Sequence, residues 1–219
     1  MDLHPHSQVS IPIDGITLQG DLYLPAGCNG IIIFSHGSGS SRFSVRNRQV
    51  AEYLHRKNFG TLLFDLLTEQ EDLYYQNRFN IDMLTGRLVG ATMWLETLEE
   101  AKNKPVGLFG ASTGAASALQ AAARLPEVRA VVSRGGRPDL ASIDDLQKVE
   151  SPTLLIVGSL DDDVLQLNKL AYLQMKCDKK IELVYGATHL FEEPGKMEIV
   201  AELAGNWFEK HLTAVSVPG

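Results

Sequence analysis

The sequence predicts an α/β fold: a mostly parallel sheet of about eight strands with helices on both faces. Three observations carry this. Short apolar runs of strand length alternate with longer helix-like stretches along nearly the whole chain. The runs from Ile31 onward are apolar at consecutive positions, the pattern of strands covered on both faces. Every interval between them exceeds the dozen or so residues that a parallel crossover needs.

The chain opens on two alternating segments, Ser7–Ile13 and Thr17–Leu24, either side of the hairpin pair Asp14-Gly15. They read as an antiparallel edge placed before the parallel sheet. Six strands follow, predicted at Ile31–Ser35, Thr61–Phe64, Val106–Phe109, Ala130–Ser133, Thr153–Val157 and Ile181–Val184. Helices are predicted at Val45–Lys57, Asn80–Ala101, Ala115–Arg124, Val164–Met175 and Lys196–His211. Leu66–Phe79 shows no clear period; because it follows a strand, it belongs at the carboxyl edge, where parallel sheets bind ligands. Tyr74 is its candidate substrate contact. No repeat or linker divides the sequence, so residues 1–219 read as one domain.

Composition narrows the function classes. The 219 residues are 44% apolar and 21% charged, ordinary globular usage that excludes a disordered or fibrous chain. Twenty basic against 27 acidic residues give a net charge of −7, which argues against nucleic acid or an anionic membrane as partner. The longest apolar run, Ile31–Phe34, is far short of the roughly 20 residues that span a bilayer. Met1–Ser7 lacks the basic start and apolar stretch of a secretory leader, so a cytoplasmic protein is expected. Cys28 and Cys177 form no disulfide or zinc pattern and are expected as reduced thiols. His4, His6, His55 and His211 have no metal-ligand spacing, and H-E-x-x-H is absent.

Gly110-Ala111-Ser112-Thr113-Gly114 lies between a predicted strand and a predicted helix, the context in which G-x-S-x-G forms a nucleophile elbow. Ser112 must then occupy a strained turn, and a side chain at 110 or 114 would collide with a neighbouring element. The competing reading makes Ser112 a helix N-cap. Serine alone is a poor nucleophile and needs a base held by an acid, in the chain order Ser, Asp, His. After two later strands come Gly158-Ser159-Leu160-Asp161-Asp162-Asp163 and Tyr185-Gly186-Ala187-Thr188-His189. His189 is therefore the candidate general base, and one of the aspartates its orienting acid. Ile31–Ser35 runs into His36-Gly37-Ser38-Gly39-Ser40-Ser41, a loop suited to one backbone oxyanion donor, placed at Ser38, with Thr113 supplying the other. As a phosphate cradle the loop fails: Arg42 stands where G-x-G-x-x-G needs its third glycine, and no Walker lysine follows.

At these residues the chain resembles the α/β-hydrolase superfamily and, within it, the small, capless dienelactone hydrolase-like branch. The resemblance spans essentially the whole chain. It rests on His36–Arg42, Gly110–Gly114, Ser133-Arg134-Gly135-Gly136-Arg137-Pro138, Gly158–Asp161 and His189–Gly195. It implies an α/β-hydrolase fold without a cap domain, and looks like a bacterial subgroup sometimes fused to phosphoribosyltransferase domains. One departure matters: the lactone hydrolases of this branch carry cysteine where this chain has Ser112, so an ester or related acyl substrate is expected.

The resemblance also favours Asp161, at the family's G-x-x-D position, as the acid. Asp163, with Gln166 three residues on, reads as a capping-box N-cap, and Asp162 as solvent-facing. Gly37, Arg134 and Phe191 join Tyr74 as candidate substrate contacts. Arg134 and Arg137 have two readings, a clamp for a substrate carboxylate or phosphate or, favoured, a loop-fixing ion pair. Arg42, Arg46 and Arg48 read as a solvated face in preference to an anion site beside the oxyanion loop, and Glu192 and Glu193 as caps of the last helix. The expected function is a serine hydrolase of small esters or lactones, with Ser112, Asp161 and His189 as triad and neither cofactor nor metal. The alternative is a hydrolase-fold binding or regulatory module, against which the complete Ser-Asp-His set argues.

Overall fold

The computed structural model describes residues 6–213; His4 lies outside them. Two alternating strands, β1 (His6–Ile13) and β2 (Ile16–Tyr23), pair antiparallel around Asp14-Gly15. Strands β3 (Ile31–Ser35), β4 (Gly60–Phe64), β5 (Val106–Ala111), β6 (Val128–Arg134), β7 (Thr153–Gly158) and β8 (Lys179–Val184) follow. All eight form one sheet in the order β1-β2-β4-β3-β5-β6-β7-β8, parallel from β4 to β8. Every residue of β3, β4, β5 and β7 is buried, which is why those strands read as unbroken apolar runs.

Alternate side chains feed two cores. Ile32, Phe34 and Phe109 pack against α1 (Val45–Arg56) and the last helix, Lys196–Leu212. Ile31, Ile33 and Leu108 pack on the opposite face, where the helices Ile81–Glu96 and Thr113–Arg124 lie. The predicted helix Asn80–Ala101 stops at Glu96, and Thr97 turns its hydroxyl back to the Trp94 carbonyl at 2.7 Å. Two short helices escape the periodicity. Glu69–Asp72 is α2, with a Thr68/Glu71 capping box, which makes Ile81–Glu96 α3 and Thr113–Arg124 α4. Ile143–Lys148 is α5, capped by Ser142; Asp162–Gln174 is α6 and Lys196–Leu212 α7. The β6–β7 connection holds only α5 and one 3₁₀ turn, leaving no room for a cap domain. No helix among the described residues is long and apolar enough to cross a membrane.

The strand order reverses at β3, which lies between β4 and β5. The connections leaving β3 and β5 therefore diverge, and a crevice opens between their carboxyl ends. The loop at 36–44 and Ser112 both lie at that point.

Candidate active site

Strand β5 ends at Ala111 and α4 begins at Thr113, so Ser112 alone makes the reversal, at φ 51° and ψ −121°. A non-glycine residue there is strained and persists only where its surroundings fix it. The Ser112 N–H donates to the Arg134 carbonyl at 3.2 Å, and the Ser112 carbonyl accepts from Ala115 and Arg137 at 3.1 and 3.0 Å. A Cβ on Gly110 would strike the backbone of Ala115, and one on Gly114 the carbonyl oxygens of Ser35 and His36. Beneath the turn, the buried Ser35 and Ser117 hydroxyls meet at 2.7 Å, and Ser117 donates to the Gly114 carbonyl at 3.0 Å. Ser112 holds the N-cap position of α4 but makes no side-chain capping bond.

The loops leaving β7 and β8 are laced together. Leu160 N–H donates to the Ala187 carbonyl at 3.0 Å, and Gly186 N–H to the Ser159 hydroxyl at 2.9 Å. The lacing sets His189 Nδ1 2.6 Å from Asp161 Oδ2. A carboxylate can only accept, so Nδ1 carries the proton of this bond and Nε2 is the ring nitrogen left outside it. The expected capping box is not formed: Asp161 takes the N-cap position of α6 without capping it, and Asp162 and Asp163 lie exposed in its first turn. Carboxylates there still suit the positive end of the helix dipole. Nor do Glu192 and Glu193 cap α7, whose N-cap is Gly195. Glu193 instead closes the turn that carries His189, accepting from the Thr188 amide at 3.1 Å and hydroxyl at 2.6 Å. The hydroxyl bond holds its carboxyl below the usual range.

Ser112 and His189 border one cavity of about 240 Å³, together with Gly37, Ser38, Arg46 and Arg134. No hydrogen bond joins the Ser112 hydroxyl to His189 among the described residues. Thr113 opens α4, so its N–H has no intrahelical partner by position. The Ser38 N–H, by contrast, donates to the Thr113 hydroxyl at 2.9 Å. His36 clamps the loop from behind. Its Nε2 accepts from the Leu66 N–H at 3.1 Å, which leaves Nδ1–H to donate to the Gly37 carbonyl at 3.0 Å. Burial pushes this imidazole below its ordinary value, in keeping with a neutral clamp. Larger cavities of about 520 and 740 Å³ elsewhere hold none of the predicted site residues.

The other candidates separate. Arg134 reaches the cavity from the end of β6, only 6% exposed, and burial lowers its pKa to about 10. Phe191 is buried in the core, with its ring 5.9 Å from the Arg134 guanidinium, and does not border the cavity. Its left-handed backbone, φ 56°, turns the chain inward immediately after the His189 loop. Tyr74 is 61% exposed beyond α2 and does not border the cavity. Arg137 pairs with Asp139 at 2.7 Å, and Arg42 with Asp65. Arg46 departs from the solvated face: it borders the cavity and pairs with Glu192 at 2.9 Å.

Comparison with known proteins settles the family. Residues 29–207 match the model of the α/β-hydrolase domain. The chain belongs to the α/β-hydrolase family. Within it the chain is dienelactone hydrolase-like: it is 49% identical to a dienelactone hydrolase from Anabaena variabilis, over 95% of this chain and all of that one, with a TM-score of 0.91. Est1E from Butyrivibrio proteoclasticus shares the fold at 18% identity and a TM-score of 0.79, covering 93% of this chain and 98% of that one. A Mycobacterium tuberculosis protein provisionally named a phosphoribosyl transferase is 52% identical over 206 residues, 94% of this chain and 46% of that protein. The chain thus spans about half the length of the curated relatives it matches.

Asn47 and Glu193 had no clear sequence signal, whereas Arg46 belongs to the basic cluster whose second reading is an anion site. Arg46 and Asn47 border the cavity from the first turn of α1, a place that reads as surface. Glu193 acts on a residue five positions earlier. For Asn47 the one available hint is an amide among arginines, here buried to 2% exposure.

Proposed function

We propose that the hydrolase cleaves small esters or lactones through an acyl-enzyme on Ser112, with His189 as general base and Asp161 as its orienting acid. The observation that carries this is the 2.6 Å Asp161–His189 contact beside a strained Ser112 on the same cavity. In this reading Ser112 Oγ attacks the carbonyl carbon while its proton passes to His189 Nε2. Asp161 fixes the tautomer and stabilises the imidazolium. The oxyanion takes the N–H groups of Thr113 and Ser38, the latter exchanged from the Thr113 hydroxyl that holds it at 2.9 Å. The leaving alkoxide then receives the proton from His189, and water repeats the sequence to release the acid. This chemistry needs no metal or organic cofactor.

The mycobacterial relatives' name belongs, in this reading, to the half of those proteins that this chain does not match. The test is a fluorophosphonate probe with intact-mass detection, beside turnover of short- and long-chain activated esters. One adduct at Ser112 and a preference for short chains are expected. A folded sample that stays unlabelled would exclude the proposal, and labelling without turnover of any ester would favour a binding module.

A further inference from the structure

Arg134 and Arg46 border this site with charges the mechanism does not use, and Arg134 is the buried one. Its guanidinium is 6% exposed. Its only hydrogen bond among the described residues is a long one, 3.4 Å, to Asn47 Oδ1, and its Nε is buried with no partner. No carboxylate pairs with it. The Phe191 ring, 5.9 Å away, offers partial compensation at most. A buried unpaired charge is expensive, and folds do not keep one without a counter-charge.

The rest of the pocket adds to the imbalance. Arg46 borders the same cavity and sits close enough to depress the Arg134 pKa further, and its own Nε is likewise buried without a partner. Its acid, Glu192, is 64% exposed on the outer side. Ser40, Ser44 and Asn47 complete this wall, and Ser44 is the N-cap of the twelve-residue α1. The first turn of that helix contains no acid and carries Arg46 instead, which opposes the helix dipole. Two guanidiniums, one from the end of β6 and one from the first turn of α1, converge beside Ser112 with a helix N-terminus and hydroxyl donors.

We infer that this wall is a phosphate subsite, so that the substrate is an ester carrying a phosphate group near its scissile bond. The inference rests on the serine hydrolase reading for the word substrate, but not for the binding of phosphate. A dianion matches two guanidiniums and a helix terminus better than a single carboxylate charge does, and α-helix N-termini and arginine forks both suit tetrahedral oxyanions.

Inorganic phosphate and acetate, at matched ionic strength, are the probes. Thermal shift reads binding without any need for catalysis. Fluorophosphonate labelling of Ser112 reads whether the anion sits beside the nucleophile. Phosphate is expected to raise Tm and slow labelling, with acetate much weaker. Arg134→Met and the more exposed Arg46→Met should each raise the half-protecting phosphate concentration about tenfold or more, the scale of a charge-assisted hydrogen bond. Arg134→Lys, which keeps the charge but loses the fork, should fall between. If Arg134→Met does not fold, Arg46→Met decides alone. Labelling that phosphate does not slow, equal protection by acetate, or undiminished protection in the folded variants would overturn the subsite. Absence of labelling with an intact phosphate-induced Tm rise would instead remove the hydrolase reading and leave the subsite standing.

Discussion

The Ser38 amide and the Thr113 hydroxyl are joined at 2.9 Å, so the loop after β3 is tied directly to the first residue of α4. Both residues are the proposed oxyanion donors, and the bond runs between them. It holds an exposed loop residue beside the turn that carries Ser112, and it occupies the Ser38 N–H until an oxyanion competes for it.

Thr113→Val removes the acceptor and lets the 37–40 turn drift. We expect kcat on an activated ester to fall about two- to tenfold, the worth of one neutral hydrogen bond of about 0.5–1.5 kcal/mol. Thr113→Ser, which restores the hydroxyl, should recover most of it. Steady-state kinetics on the pair would show this, and a valine variant as fast as wild type would argue that the tie is incidental.

The three consecutive aspartates make a sharper comparison. Asp161 alone touches His189, whereas Asp162 and Asp163 are exposed in the first turn of α6. Asp161→Asn should lower kcat by about 10³–10⁴-fold, the scale found when a triad acid becomes an amide and the imidazole loses its tautomer. Asp163→Asn should leave kcat within about twofold, since it forfeits only a weak dipole interaction. The reverse ranking would move the orienting role along the loop.

The strands were legible because a parallel sheet buries both faces, and its sequence shows this as consecutive apolar residues. The elbow was legible because steric crowding demands glycine at 110 and 114. Chain order conveyed that Ser112, Asp161 and His189 share one sheet edge; whether they act as a triad is for kinetics. What the sequence hid was the direction of side chains after tight turns. Phe191 reads as a pocket residue, yet a positive φ sends it into the core. Asp163 reads as an N-cap by spacing, yet the helix starts two residues earlier than that pattern requires. Arg46 reads as surface because its partner, Glu192, is 146 positions away.

The crowding at the elbow also predicts stability. A methyl on Gly114 meets backbone carbonyls of Ser35 and His36, which cannot swing aside as a side-chain tip could. Gly114→Ala should cost about 2–3 kcal/mol or more, as overpacking does, and lower Tm by about 5–10 °C in a chain of this length. Gly86→Ala is the control, since nothing lies within 4 Å of a Cβ at that half-buried position of α3. Calorimetry that ranks the two variants equally would contradict the packing argument.

A last prediction concerns acid stability and lies away from the active site. His55, on α1, stacks on Tyr23 with ring centroids 3.9 Å apart and meets the Thr61 hydroxyl through Nε2 at 2.8 Å. Burial, helped by the neighbouring charges of His6 and Arg56, lowers its pKa to about 4. The unfolded chain therefore binds this proton more tightly than the folded one, with a reference pKa of about 6.5. Its contribution is complete above about pH 6.5 and is lost as pH falls toward 4. Because the ring is half-buried, solvent screening limits the effect to the order of 1 kcal/mol. Urea midpoints at pH 7.5 and 4.5 should differ less for His55→Gln than for wild type by about that amount. His36, lowered in the same direction, leaves a residual slope in both proteins, so the comparison isolates His55. Equal slopes for variant and wild type would show that the His55 imidazole titrates alike in the folded and unfolded states.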